Sequence, residues 1–215
     1  LLEEPETHLS YLNMHKLIDV ISNWTNEQIF VTTHSNMIAA RLGLNNLIML
    51  GNAHKVTLND ISEETATFFA KLANTNLLNF ILSDKVILVE GNVEYILMDY
   101  LYQKITFKES YKDNIAIISC GGKTFKRYIE IGILVNKKIA VITDNDNNPP
   151  INVIKSFLVE GHNNINAFTD MNIENNTLEV SLYYYNQKLF EKRLKTSSMS
   201  KGLLSFMLEN KTESA

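Results

Sequence analysis

Four acidic residues in the second half of the chain have the types and spacing for metal chemistry. Glu94 lies one helical turn after Glu90, and Asp144 and Asp146 flank a single asparagine. Each pair comes directly after an apolar run that is typical of a buried strand. Carboxylate oxygens are the ligands that Mg²⁺ and Mn²⁺ prefer. Two such ions activate a water and stabilise the leaving oxygen in phosphodiester hydrolysis, which is the chemistry that this pattern favours.

The segments around these acids predict the fold that would position them. Three continuous apolar runs predict strands buried on both faces: Lys85–Val89, Ile115–Ile118 and Lys138–Ile142. They alternate with helical segments over residues 92–101 and 123–135, which indicates an α/β fold with a parallel sheet. The carboxyl ends of parallel strands meet at one sheet edge, so we expect all four carboxylates there. An extended backbone through Asp144 and Asp146 would point both side chains to the same side.

Each pair of acids also has an ordinary structural interpretation. A Glu-x-x-x-Glu spacing is typical of a solvated helix face, and Asp-x-Asp is typical of a polar turn. Both pairs together, each at a strand end, favour a functional site, because clustered carboxylates repel one another unless a cation lies between them. Gly91 has no side chain at a point where a metal or phosphate would approach closely.

The order of these motifs resembles a known fold. A hydrophobic strand followed by Glu-Gly-x-x-Glu, and a later strand followed by Asp-x-Asp, resembles the Toprim module of topoisomerases, bacterial primases, recombination proteins and certain nucleases. The resemblance covers residues 84–202. It implies metal binding by Glu90, Glu94, Asp144 and Asp146, with Glu90 and Asp144 also acting as catalytic residues.

The first residues resemble a different family. The segment Leu-Leu-Glu-Glu-Pro-Glu-Thr-His-Leu is similar to the Walker B region of ABC-type ATPases, in which Glu3 would help to hold Mg²⁺ and Glu4 would polarise the attacking water. His34, after a short apolar strand, resembles the switch histidine that reads the γ-phosphate. The sequence contains no Gly-x-x-x-x-Gly-Lys-Ser/Thr loop and begins without Met. We therefore expect a piece of a longer protein that binds ATP only when complete.

An ATPase segment followed by a Toprim module resembles the OLD (overcoming lysogenization defect) nucleases, which include the nuclease subunit of the Gabija antiphage system. The resemblance implies a DNA endonuclease with two Mg²⁺ or Mn²⁺ ions, a homodimer or higher oligomer, and a role in antiphage defence or DNA processing. It also allows a helicase-like partner. The alternatives are a non-catalytic DNA-repair or assembly module and a topoisomerase- or primase-type Toprim protein.

The same resemblance implies two further site residues. Glu179 corresponds to a late acid that follows a short strand, so it is an expected metal ligand. Lys201 corresponds to a lysine that would stabilise charge on the scissile phosphate. Without the resemblance, Glu179 would be a surface acid and Lys201 a lysine at a helix start.

Composition and charge bear on the partners. The net charge of −4 argues mildly against nucleic-acid binding by general electrostatics, although a metal site neutralises its own carboxylates. Three basic residues after Gly121-Gly122 are expected DNA phosphate contacts, unless they form a solvated helix face: Lys123, Lys126 and Arg127.

The single cysteine excludes an intramolecular disulfide. No apolar run is long enough for a membrane span, and without an export signal the expected location is cytoplasmic.

Length allows one large domain or two small ones in the 215 residues. The predicted organisation is an ABC-type ATPase fragment over 1–60, a linking helix over 61–83, a Toprim nuclease domain over 84–202 and a C-terminal helix and tail over 203–215. The linking helix is expected to be continuous over 62–82. Further predicted elements are a buried strand end at Leu1-Leu2, strands at Ile29–Thr32, Ile165–Phe168 and Thr177–Leu182, and helices at Leu9–Ile21, Asn36–Leu42 and Leu203–Asn210.

Overall fold

The computed structural model describes residues 1–24, 28–50, 55–72, 76–122, 124–193 and 202–211. The chain divides into two compact units, one of residues 1–82 with 130–136 and one of residues 83–129 with 137–215. All of the acidic residues predicted for the metal site belong to the second unit. No helix in the described ranges is both long and apolar enough to cross a lipid bilayer.

In its described residues, the first unit combines short strands with α-helices. Its elements are β1 (Leu2–Glu3), α1 (Tyr11–Ser22), β2 (Val31–Thr32), α2 (Asn36–Arg41), β3 (Ile48–Leu50), β4 (Lys55–Thr57), α3 (Glu63–Lys71) and α4 (Leu77–Leu82). β1 pairs in parallel with β2, and β3 pairs antiparallel with β4. Ile18 of α1 packs with Met37 and Ile38 of α2 in a buried apolar cluster.

Two expectations for the first unit are corrected. The predicted helix over 62–82 is two helices, because Leu72 leaves the helical region with ψ 88° and α4 begins only at Leu77. Its predicted start is confirmed, since the Ser62 hydroxyl accepts a hydrogen bond from the Thr65 N–H at 3.2 Å. The predicted strand at Leu1-Leu2 forms in part, but it is not buried, because Leu1 is 78% exposed.

The second unit is built on one parallel sheet. Its elements are β5 (Lys85–Val89), α5 (Asn92–Thr106), β6 (Ile115–Ser119), β7 (Lys138–Ile142), α7 (Pro150–Phe157), β8 (Ile165–Phe168), α8 (Leu178–Arg193) and α9 (Leu203–Glu209), with α6 (Phe125–Leu134) running from this unit into the first. The strands lie in the order β6-β5-β7-β8, and every pair is parallel. The predicted α/β fold with a parallel sheet flanked by helices is therefore confirmed.

Alternation along the strands determines where the core lies. On one face of the sheet Val86, Leu88, Ile139 and Val141 are at most 2% exposed. Their neighbours along the strands, such as Ile87 and Ala140, are only partly buried. Val89, on the same face as Ile87, is fully buried. The prediction of strands buried on both faces therefore holds in part, since the second face is buried at Val89 and only partly covered at Ile87 and Ala140.

Two helices of the second unit differ from the sequence prediction. The expected strand at Thr177–Leu182 is the beginning of α8, with the Thr177 hydroxyl 3.5 Å from the Val180 N–H. The β-branched and aromatic residues there resemble a strand, but the apolar positions of Leu178 and Leu182 are one helical turn apart. α7 was not predicted. It begins with Pro150 in the first turn, where proline is well tolerated.

Candidate metal site

Strand order brings the ends of β5 and β7 side by side. The two strands are hydrogen-bonded neighbours, and Val89 pairs with Ile142 in register. The next residues along each strand direction are Glu90 and Thr143, and the Thr143 hydroxyl donates a hydrogen bond to Glu90 Oε2 at 3.2 Å. Glu90 and Asp144 therefore meet at the carboxyl edge of the sheet, although 53 residues of sequence separate Glu90 from Thr143.

Gly91 and Glu94 together form the start of α5. Glu94 Oε2 accepts the N–H of Gly91 at 3.0 Å, so the carboxylate caps the helix from its third position. A Cβ on residue 91 would lie 3.0 Å from the same oxygen. The backbone of Gly91 has φ −133°, which any residue adopts. The structure thus shows that the missing side chain at Gly91 leaves space for the Glu94 carboxylate.

Asp144 is the electrostatic centre of the group. The pKa of Asp144 is raised to about 7, first by burial and then by the negative charges of Glu90, Glu94 and Glu179, against a smaller opposing effect of Lys211. A carboxyl group with a pKa near 7 is close to half protonated at neutral pH. These acids are therefore near enough to repel one another, and a cation among them would relieve the repulsion.

Glu179 reaches the group from a helix. It lies in the first turn of α8, and not after a strand as predicted. Its side chain is 3% exposed, and its Oε2 lies 3.3 Å from the ammonium nitrogen of Lys211. Lys211 was not predicted, since a single lysine near the end of the sequence carries no signal that separates it from other lysines. The lysine that was predicted, Lys201, lies outside the described residues.

Asp146 does not extend the strand. Its φ is 49°, in the left-handed region, so the chain turns there and the expectation of an extended backbone from Asp144 to Asp146 is wrong. The Asp146 N–H donates to the carbonyl of Asn176 at 3.2 Å. Because of this turn, the direction of the Asp146 side chain does not follow from the strand geometry that precedes Asp144.

The asparagine between the two acids is a positioning residue that the sequence interpretation missed. Asn145 is 1% exposed. Its side-chain amide donates to the carbonyls of Asp170, Asn172 and Asn175 at 3.4, 3.0 and 3.2 Å. These bonds fasten the loop between β8 and α8 to the end of β7. A polar residue between two acidic residues, three positions beyond the end of β7, was the available signal.

A cleft of about 350 Å³ lies against the carboxylates. Its lining includes Glu90, Asp144 and Asp146 together with Lys126 of α6 and Asn152 of α7. The structure therefore places one predicted DNA contact, Lys126, in the same cleft as three of the predicted metal ligands. Arg127 is not part of that lining, and Lys123 lies outside the described residues.

The donor chemistry fits a hard divalent cation. Within the described ranges, however, no group of three or more Asp, Glu, His or Cys side chains is close enough to hold a metal ion as it stands. Two of the carboxylates are engaged elsewhere, Glu94 by the Gly91 N–H and Glu179 by Lys211. Oxygen ligands that are buried and mutually repelling suit Mg²⁺ or Mn²⁺, which would draw them together.

A second acidic cluster lies in the first unit. His34 Nε2 is 3.2 Å from Glu4 Oε1, so the structure brings together two residues of the predicted ATP site, while Glu3 lies in β1. Glu6, which was not predicted, accepts hydrogen bonds from the Thr33 hydroxyl at 2.8 Å and the His34 N–H at 2.6 Å. Burial alone would raise the pKa of Glu6, but the hydrogen bonds outweigh it and lower the pKa.

One comparison with known proteins bears on the second unit. Residues 81–146 match the family model described as Overcoming lysogenization defect protein-like, TOPRIM domain. The matched segment contains Glu90, Glu94, Asp144 and Asp146, whereas Glu179 and the first unit up to residue 80 lie outside it. No curated protein matches the chain. The segment is similar to an OLD-like Toprim domain, and the parallel sheet flanked by helices is a Toprim-type fold.

Proposed function

We propose that this chain carries the active site of a metal-dependent DNA endonuclease of the OLD type. The Toprim-type fold and the family match support a metal-dependent role in nucleic-acid processing. The observation that carries the finer proposal is the position of Asp144. It lies at the carboxyl edge of the sheet, with its pKa raised to about 7 by burial and by three further carboxylates. Such a site favours a divalent cation and, through it, phosphodiester hydrolysis.

The proposed ligands are the acids grouped around Asp144. Glu90, Glu94, Asp144 and Glu179 would hold two Mg²⁺ or Mn²⁺ ions, and Asp146, which lines the same cleft, stays in the proposed set. When bound, the ions supply an activated water and stabilise the leaving oxygen. Because Asp144 is partly protonated near neutral pH, ion binding would release a proton from it.

Other residues of the chain would orient the substrate. The Thr143 hydroxyl holds the Glu90 carboxylate at the cleft. Lys126 is exposed and lines the same cleft, where its charge would bind a DNA phosphate without reading sequence. Lys123 and Arg127 stay in the proposal as phosphate contacts because they belong to the same basic segment as Lys126. Lys201 stays in it on the resemblance alone, as the residue that stabilises charge on the scissile phosphate.

The remaining parts of the proposal concern a longer protein. Glu3, Glu4 and His34 would belong to an ATP site, which the 3.2 Å approach of His34 to Glu4 supports. The phosphate-binding loop of that site would have to come from outside these 215 residues, so the chain by itself should not hydrolyse ATP. A homodimer or higher oligomer, a helicase-like partner and antiphage defence are proposed from the OLD resemblance only. The cytoplasmic location expected from the sequence also stays a proposal.

The test is a plasmid-nicking assay with matched variants. Supercoiled DNA is incubated with the purified protein and Mg²⁺ or Mn²⁺, beside Asp144→Asn, Glu90→Gln and the control Glu160→Gln, which changes an exposed acid outside the cleft. We expect metal-dependent nicking by the wild type and by the control, and its loss in both site variants. Nicking that persists in Asp144→Asn would contradict the assignment.

Two outcomes would favour the alternatives. Relaxed, covalently closed circles would indicate a topoisomerase-type Toprim protein. Metal binding without any cutting would indicate a non-catalytic binding or assembly module. That second reading has one observation in its favour, namely that Glu94 and Glu179 are each engaged by another group.

A further inference from the structure

Glu179 is a buried carboxylate with a cationic partner from another helix segment. Its side chain is 3% exposed, and Glu179 Oε2 lies 3.3 Å from Lys211 Nζ. Lys211 follows α9, which packs against α8, the helix that carries Glu179. The ion pair therefore depends on how the last helix docks within the second unit.

The two partners are buried to very different extents. An ionised carboxylate out of water is costly unless it is paired, so Glu179 needs a positive charge nearby. Lys211 is half exposed, since 50% of its side chain remains accessible. The lysine can therefore turn into solvent at small cost, while the glutamate cannot follow it. This asymmetry is what an exchangeable counter-ion requires.

The charge of Lys211 also reaches the centre of the carboxylate group. It opposes the effect of Glu90, Glu94 and Glu179 on Asp144. A single ammonium group thus offsets repulsion at two of the proposed metal ligands, Glu179 by contact and Asp144 through space. A divalent cation at the same carboxylates would offset the same repulsion with twice the charge.

We propose that Lys211 is the resident cation of the carboxylate site, holding Glu179 in place by a direct ion pair for which a divalent cation competes. The inference rests on the proposed function in so far as the carboxylates bind metal. Lys211 acts as a positioning residue, through Glu179. By linkage, metal binding weakens the contact of Lys211 with Glu179 as much as that contact weakens metal binding.

The experiment compares Mn²⁺ binding by calorimetry in four proteins without DNA: the wild type, Lys211→Met, Lys211→Arg and Lys155→Met. Lys155 is an exposed lysine of α7, and its variant changes the net charge by the same amount. We expect Lys211→Met to bind Mn²⁺ about fivefold or more tightly than the wild type, at the lower end of couplings between sites. Lys211→Arg, which keeps the charge, and Lys155→Met should both stay within about twofold of the wild type.

Three results would overturn the inference. Lys211→Met could bind Mn²⁺ no more tightly than the wild type, it could bind more weakly, or Lys155→Met could show the same gain. Each leaves the proposed function intact, provided that the wild type binds Mn²⁺ and Asp144→Asn does not. If the wild type and Asp144→Asn titrate alike, the metal site itself is absent and the proposed function fails together with the inference.

A second measurement tests the ion pair independently of metal. Urea unfolding in EDTA is followed for Lys211→Met, Glu179→Gln and the double variant. Lys211→Met should lower the unfolding midpoint, because it leaves Glu179 buried and unpaired. In the Glu179→Gln background the same substitution should have little effect. Equal effects of Lys211→Met in both backgrounds would show that the lysine does not neutralise Glu179.

Discussion

The acidic clusters of the two units are built on similar local sequence but differ in what surrounds their carboxylates. Glu6 and Asp144 each follow a strand of a parallel pair, and burial is the largest single influence on the pKa of both. The pKa of Glu6 is nevertheless lowered, because hydrogen-bond donors from Thr33 and His34 reach its carboxylate. The pKa of Asp144 is raised to about 7, because further carboxylates surround it.

The difference shows how to separate a structural acid from a metal ligand. A carboxylate that is satisfied by donors stabilises its own loop and gains little from a cation. A carboxylate that is buried among others is destabilising as an anion, and it gains the most when a cation binds. The second unit contains both kinds, since Asp170 accepts hydrogen bonds from Asn172, Asn175 and Ser181 and has a lowered pKa despite its burial.

The largest expected effect is the loss of Mn²⁺ affinity when the Asp144 carboxylate is removed. Asp144→Asn should weaken Mn²⁺ binding by at least about a hundredfold, because it removes the proposed central ligand and the negative charge that would attract the ion. Glu6→Gln should leave Mn²⁺ affinity unchanged. Calorimetric titration of both variants measures the difference. Equal losses in the two variants would remove the distinction between the clusters.

A large effect on stability is expected from the residue beside Asp144. Asn145→Ala should lower the unfolding free energy by about 2–4 kcal/mol, because carbonyls of the 170–175 loop lose a buried donor. Urea denaturation is the measurement, and Asn163→Ala is the matched control. Asn163 is exposed, so its substitution should change the unfolding free energy by no more than about 0.5 kcal/mol. Similar values for the two variants would show that Asn145 does not anchor the loop.

A smaller effect is expected at the start of α5. Gly91→Ala should weaken Mn²⁺ binding about tenfold, because the new methyl group displaces the Glu94 carboxylate that lies 3.0 Å away. Its stability should change little, since the backbone at φ −133° accepts alanine. Gly122→Ala should lower stability, because Gly122 has φ 105°, which alanine adopts only with strain. It should leave Mn²⁺ binding unchanged, because no atom lies within 4 Å of a new Cβ there. Thermal unfolding with and without Mn²⁺ separates the two cases.

The last expected effects are the pH dependences of the two acids, which are spread over several pH units and are measured by urea unfolding in EDTA. The pKa of Asp144 is raised above its unfolded value of 3.8, so the folded state binds the extra proton and stability falls as pH rises from about 4 to 7. Asp144→Asn should flatten that slope. The pKa of Glu6 is lowered below 4.5. The ionised Glu6 carboxylate therefore stabilises the folded state above that pH, and this stabilisation is lost as the pH falls further. Glu6→Gln should remove only this acid-side loss, and slopes of the same sign would contradict the comparison.

Much of the sheet followed from sequence because its strands are long apolar runs. The ranges predicted for β5, β7 and β8 agree with the structure, and α2 and α9 agree to within a residue. The strand predicted at the start of α8 was wrong because β-branched and aromatic residues suit both a strand and a helix packed on one side. The interruption between α3 and α4 was missed because the apolar spacing continues across it.

The site was predictable only where its residues come directly after strands. Glu90 and Asp144 were found because the carboxyl ends of parallel strands share an edge. The capping role of Glu94, the turn at Asp146 and the anchoring by Asn145 depend on backbone dihedrals and hydrogen bonds that residue types do not specify. Lys211 was missed because its significance is its distance from Glu179, and the two are 32 residues apart in sequence.

The sequence by itself determined the donor types and the strands that carry them. Short-range periodicity encodes burial and strand ends, so the carboxylates at the carboxyl edge of a parallel sheet could be predicted directly from the sequence. Only the tertiary structure decided that β5 and β7 are neighbours, that a helix brings Glu179 to Asp144, and that Lys211 neutralises Glu179. The reason is physical: the pKa of a carboxylate and its demand for a cation depend on the charges within a few ångströms of it, and those come from segments far apart in the chain.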